Sequence, residues 1–396
     1  MKKLSLIASI ANILFCGDDT FTMSSKDIVC LPAHLEIKIT RVEATTEQLS
    51  SNESSMSPEE LWLFIRSRMI IPWKTFSDFI EEGGRVNFAS QYLCFDKIGL
   101  TSLEGMPSFP AHNTNLSLSQ NRLKTLKYLP YLPYVENLSV NCNQINDLNP
   151  LRNVPDLTWL DVSDNHLSDF TSMPRLIKLN HLWADDNCLR DFSGLENLLS
   201  LTYLTMCRNQ ISKLKNMPKK LLRLERLNLS YNFLENLIGL PEMPNLLILI
   251  LEGNPLKSLV GMPNLSKLLY LYLNYNELES LDGLPGNLPD LYSLDLRCNR
   301  LKNLKNLPPI LPNLHFLDLT YNQLENLDDL PEMPMLEELR ISENPLSKDA
   351  LMRAPWRKLP NLKEVWGINK YPDADEIFEK IEEEINRYPR TGELQW

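Results

Sequence analysis

Asparagine recurs at Asn121, Asn143, Asn165, Asn187, Asn209, Asn232, Asn254, Asn276, Asn299, Asn322 and Asn344, each 22 or 23 positions after the last. Five positions before each stands a leucine, from Leu116 and Leu138 to Leu317 and Leu339, and two positions after each stands Leu or Ile. The register LxxLxLxxNxLxxL is complete in Leu224 to Leu237 and again in Leu314 to Leu327. A chain of 396 residues outgrows a single compact core unless repetition lets it extend in one direction. The period therefore dictates the fold before any other property is considered.

The central LxL alternates apolar and polar with period two, as a short strand does when one face is buried, and stacked units form a parallel sheet. Prolines between the strands, such as Pro241 and Pro244 or Pro331 and Pro334, exclude a continuous helix there and favour extended or single-turn segments. This accounts for 27 Pro beside only 13 Gly. Each recurring Asn sits where the chain leaves the strand, and its amide both donates and accepts, so a stack of them can satisfy turning backbone from unit to unit. The expected architecture is an α/β solenoid, a curved array with a short parallel sheet on the concave face and a Pro-rich convex side. Because no unit buries its leucines alone, helical caps are expected at both ends.

Residues 92 to 103 read as a degenerate first unit with Ile98 in the Asn place. Ahead of it, Ser57-Pro58-Glu59-Glu60 is a capping box followed by Leu61, Phe64, Ile65 and Met69, and a second helix carries Trp73, Phe76, Phe79 and Ile80 up to Gly83-Gly84. At the rear, Ile377, Phe378, Ile381 and Ile385 recur at helical spacing beside Glu379, Glu382, Glu383 and Glu384 and predict a helix covering the last unit. The expected organisation is a signal-like or extension segment at 1–22, an N-terminal region with a helical cap at 23–91, the solenoid at 92–369, and a capping helix and tail at 370–396. Lys2 and Lys3 before the apolar run Leu4 to Cys16 resemble a signal peptide, whereas Met23 offers an alternative start.

A formal net charge of -11 repels phosphate backbones and anionic lipid, so neither nucleic acid nor membrane is an expected partner. Seven scattered cysteines without CxxC spacing suit a reducing compartment, cytoplasmic or nuclear, with secretion as the alternative. No phosphate-binding glycine loop, nucleophile elbow or Cys/His arrangement is present, so no catalysis, cofactor or metal is expected. His181 with Asp161, Asp185 and Asp186 nearby raises a metal or acid/base pair only as a minor alternative to a solvated surface.

The outward strand positions carry the functional information. They bring Trp159 and Asp161, then His181, Trp183 and Asp185, then Tyr203, and further on Tyr270, Tyr272, Tyr292, Phe316 and Asp318. Aromatic residues interleaved with Asp on a face that points at solvent have the composition of a protein-binding hot spot. Mutual stacking along the sheet is the structural alternative. Asn115, Ser117, Asn137 and Ser139 fill the same positions of the first units without any aromatic, which favours binding. The chain is expected to act as a monomer that holds a protein partner on this face.

The chain is identified by its LxxLxLxxNxLxxL units as a member of the leucine-rich-repeat family. The 22-residue period over residues 92 to 369 resembles the class typified by the nuclear regulatory subunit of type-1 protein phosphatase. That likeness implies a non-catalytic scaffold, an aromatic and acidic concave face that binds and regulates an enzyme such as a phosphatase, and a C-terminal cap at Asn344-Pro345-Leu346 with Leu359-Pro360 and Leu362. The Leu-Pro-x-Met-Pro wording of Leu240 to Pro244 resembles secreted bacterial repeat effectors, whose units are usually shorter. Pro58-Glu59-Glu60-Leu61 with Ile65 and Met69 is similar to the start of an F-box, which implies a substrate adaptor of a ubiquitin ligase as the alternative function. Ser57 stands where that motif usually has Leu.

Overall fold

The structure is a computed structural model that describes residues 75–81, 86, 90–196 and 198–386. The chain divides into two units, 1–69 with 78–86 and 70–77 with 87–396; the second holds the repeats. The signal-like run, the capping box with its F-box-like residues, Trp73 and Gly83-Gly84 lie outside the described residues.

Among the described residues, thirteen strands of three residues form one parallel sheet whose spatial order is the chain order. They are β1 (Tyr92–Cys94), β2 (Asn115–Ser117), β3 (Asn137–Ser139), β4 (Trp159–Asp161), β5 (His181–Trp183), β6 (Tyr203–Thr205) and β7 (Arg226–Asn228). β8 (Ile248–Ile250), β9 (Tyr270–Tyr272), β10 (Ser293–Asp295), β11 (Phe316–Asp318), β12 (Glu338–Arg340) and β13 (Glu364–Trp366) complete it. Register is leucine on leucine, as in Leu227 opposite Leu249 and Leu294 opposite Leu317. These leucines are fully buried, each contributing about 1.5–3 kcal/mol of transfer free energy. The sequence-based solenoid is thus the observed fold, with β13 as a further unit beyond the last recurring Asn.

The asparagines form the expected ladder. Asn232 is 3% exposed; its Oδ1 accepts from the Ile211 amide at 3.0 Å, and its Nδ2 donates to the Met206 and Leu229 carbonyls at 2.9 and 3.1 Å. Asn121, Asn165, Asn299 and Asn344 repeat the arrangement against Leu100, Ile145, Leu278 and Leu324. A second regularity accompanies it. The residue before each ladder Asn has a left-handed φ, for example Cys142 at 53°, Asp186 at 52°, Tyr275 at 56° and Tyr321 at 56°. Its amide donates to the next unit, as Tyr275 does to Arg297 and Tyr321 to Ser342. A hydrogen bond between units thereby compensates a conformation that costs L-residues about 1–2 kcal/mol. Gly253 fills this place where a Cβ would come within 2.6 Å of the Tyr231 ring.

Between β1 and β12 the described chain runs through turns and a 3-10 helix at Asn149–Asn153 that has proline in its first turn. Helix α1 (Phe76–Glu81) begins with Phe76 fully buried, edge-on to Phe95 at 5.1 Å. At the other end, α2 (Lys348–Arg353) is capped by the Ser347 side chain, which accepts from the Ala350 amide. It is followed by a 3-10 turn at Trp356–Lys358, where the fully buried Trp356 donates its indole N–H to the Leu351 carbonyl at 2.8 Å. α3 (Ala374–Asn386) packs on both, burying Ile377 and Ile381. The expected rear helix is therefore present, but it seals the array through α2 and Trp356, which the periodicity had not signalled.

Candidate functional site

Alternation along each three-residue strand from β1 to β12 turns the central leucine inward and its two neighbours outward. Parallel pairing then aligns these outward residues in columns. Trp159 lies opposite His181, and His181 opposite Tyr203; two positions on, Asp161 lies opposite Trp183, and Trp183 opposite Thr205. Trp159, Trp183 and Tyr203 therefore occupy two columns and not a single strip along the sheet. Their rings nevertheless meet as a diagonal: Trp159 and Trp183 are 5.2 Å apart and edge-on, Trp183 and Tyr203 are 5.8 Å apart and tilted. His181 stacks on Tyr203 at 5.9 Å and engages the Asn180 side chain through Nδ1.

A second aromatic group lies over β9 to β11. Tyr270 stacks parallel to Tyr272 at 6.4 Å and lies 5.8 Å from Tyr292, which in turn stacks on His315 at 4.4 Å. Tyr292 and His315 stand one residue ahead of their strands, so they sit at the margin of the face and not in its columns. Phe316 is covered by the Arg340 guanidinium at 4.8 Å. A shallow cleft of about 380 Å³ lined by Tyr270, Tyr292, Phe316 and Glu338 marks this second region, and another of about 300 Å³ lies over the first units, lined by Tyr92, Asn115, Ser139 and Trp159.

The carboxylates differ from expectation. Asp161 and Asp318 are 4% and 3% exposed, and each accepts from the amide two residues on, Ser163 and Thr320, at 2.9 Å. Asp295 does the same for Arg297 at 3.1 Å, and Asn228 for Ser230 at 3.0 Å. They close the strand exits as short side chains do in Asx turns, and so are not free acidic rims. Asp185 bridges units, accepting from the Thr205 hydroxyl and the Cys207 amide at 2.5 and 2.6 Å. Burial pushes the Asp185 carboxyl up from its ordinary range despite those two donors. Burial likewise pushes Asp295 up to about 6, against the Arg297 amide and guanidinium, which pull it down. Among the described residues, no group of His, Cys, Asp or Glu is placed to hold a metal.

Between the aromatic groups run Arg226, Asn228, Ile248 and Ile250, all half-buried on β7 and β8. Arg226 had no place in the sequence reading. Its guanidinium lies 5.2 Å from the Tyr203 ring centre, while its Nε and the Trp183 Nε1 are enclosed without a hydrogen-bond partner. The polar signal was available, since Arg226 stands six positions before Asn232, the same offset as Trp159 before Asn165. The first units contrast with this: Asn137 donates to Asn115 at 2.7 Å, and Ser119 and Ser139 hydroxyls meet at 2.7 Å. Among the described residues, no helix is long and apolar enough to cross a membrane.

The leucine-rich-repeat family model matches residues 289–346. No curated protein matches the sequence. Among solved structures, an internalin from Listeria monocytogenes is similar at 24% identity, over 70% of this chain and 81% of its own, with a TM-score of 0.61. YopM, a leucine-rich effector protein from Yersinia pestis, is similar at 26% identity over 73% of this chain and 79% of its own, with a TM-score of 0.51. The asparagine ladder, the in-register parallel sheet and these likenesses agree that the fold is that of a leucine-rich-repeat protein.

Proposed function

We propose that the chain is a non-catalytic scaffold, acting as a single copy, whose outward strand face from β4 to β11 holds a protein partner. One observation carries this: Trp159, Trp183 and Tyr203 pack on each other on the outward face while the leucines behind them already fill the core. The tryptophans are not needed to close the fold, and aromatic side chains grouped with an arginine are the composition that dominates binding energy at protein interfaces. The partner would be an enzyme regulated by being held, in line with the resemblance to a phosphatase regulatory subunit. The second function, a ubiquitin-ligase adaptor, rests on residues 58–69 alone.

Replacing Trp159 and Trp183 together by Ala tests the proposal. Capture of partners followed by mass spectrometry should lose the main partner, with a loss of about thirtyfold or more in affinity per anchor and an unchanged far-ultraviolet circular dichroism spectrum. A captured set identical to the parent's would place binding elsewhere and leave the rings as cross-strand packing. Deleting residues 57–82 and re-capping the front separates the two functions, because a scaffold keeps its partner whereas an adaptor loses its ligase.

A further inference from the structure

We infer that Arg226 is the receptor for a single carboxylate on an extended segment of the partner, seated between the two aromatic groups. This rests on the strand face being the binding surface. Among the described residues, Arg297 and Arg340, farther along the sheet, have acids: Arg297 lies 3.3 Å from Asp295, and Arg340 lies 2.6 Å from Glu338 and 3.8 Å from Asp318. Arg226 makes no such ion pair. It lies half-buried on β7 with the Tyr203 ring against its guanidinium and its Nε enclosed and unpartnered. The guanidinium charge has no carboxylate beside it while its Nε is shut away from water, and a bidentate carboxylate is the group its planar fork fits best.

Spacing defines the rest of the segment. β7 lies two strands from Trp183 on β5 and two from Tyr270 and Tyr272 on β9, about 9.6 Å between strands at ~4.8 Å per strand; Tyr270 shares a column with Arg226, while Trp183 and Tyr272 stand in the adjacent one. Three residues of polyproline II rise about 9.3 Å and return a side chain to the same side. A segment crossing the strands would thus put an acidic residue on Arg226 and an apolar or aromatic residue about three positions away on either side.

The test uses the full chain and a phage-displayed library of random twelve-residue peptides, selected on the parent, on Arg226→Glu and on Trp183→Ala. The parent should enrich Asp or Glu at one position with apolar residues about three positions to each side, and Arg226→Glu should exchange that acid for Lys or Arg. Fluorescence anisotropy of a selected peptide should show a loss of at least about thirtyfold with Arg226→Ala and a smaller loss with Arg226→Lys, which keeps the charge but not the fork. If Arg226→Ala does not fold, Arg226→Gln takes its place. Selected peptides that need Trp183 but show no acidic position, or keep it in Arg226→Glu, overturn the role of Arg226 while the binding face stands. Peptides indifferent to both Trp183 and Arg226, or no enrichment at all, overturn both.

Discussion

Replacing Asn232 separates a ladder that holds the backbone from a residue that merely turns the chain. Truncation to Ala removes the acceptor of the Ile211 amide and the donor to the Met206 carbonyl, both in the interior of the array. Each buried backbone group that loses its partner costs about 1–3 kcal/mol, so the change should destabilise by about 2–6 kcal/mol. Asn232→Asp is the sharper probe. It keeps an acceptor for Ile211 but turns a second oxygen, with a charge, toward the carbonyls of Met206, Leu229 and Ser230. Asp should therefore cost at least as much as Ala, although Asp serves as well as Asn in an ordinary turn. Urea unfolding gives the global loss, and native-state hydrogen exchange at the Ile211 amide reads the site directly, which matters because long arrays need not unfold as one unit. Parent-like exchange at Ile211, or an Asp variant as stable as the parent, would refute the ladder as a source of stability.

Asp295, held up to about 6 by burial, keeps a proton in the folded protein that the unfolded chain releases near pH 4. Stability should thus fall as pH rises between about 4 and 6, and Asp295→Asn should flatten that slope in urea midpoints measured across the window; an unchanged slope would refute the assignment. Cys188 is exposed, whereas Cys207 is buried and its thiol is pushed up to about 11 by burial. Iodoacetamide at neutral pH followed by peptide mass mapping should modify Cys188 well before Cys207, and the reverse order would contradict their placement.

The repeat register made the strands, the ladder and the leucine core legible, because each depends on residues at fixed offsets within one unit. The diagonal of aromatics was legible too: Trp159 stands six positions before its ladder Asn and Trp183 four before its own. That offset assigns them to different columns, as it assigns Tyr292 and His315 to the margin at seven. What no offset encodes is what a neighbouring unit does to a side chain. Asp161, Asp295 and Asp318 look like a solvated acidic face in sequence, yet their strand exits draw them inward. The role of Trp356 was hidden for a related reason, since α2 and its Ser347 cap interrupt the period.

The structure also separates the outward residues by whether the fold already uses them. The ladder asparagines and the left-handed position carry the bonds between units, while Asp161, Asn228, Asp295 and Asp318 close the strand exits. Removing one of these would cost stability before it could alter recognition. Trp159, Trp183, Arg226, Tyr270 and Tyr272 make none of these backbone bonds. Their contacts are with one another or with a few face neighbours such as Tyr203 and Tyr292. Substituting them should therefore change what the surface binds with little effect on stability, whereas substituting the acidic residues should do the reverse. A binding screen and a stability screen over these two sets should rank them in opposite orders, and a set that moved both readouts together would show that face and frame are not separable in this array.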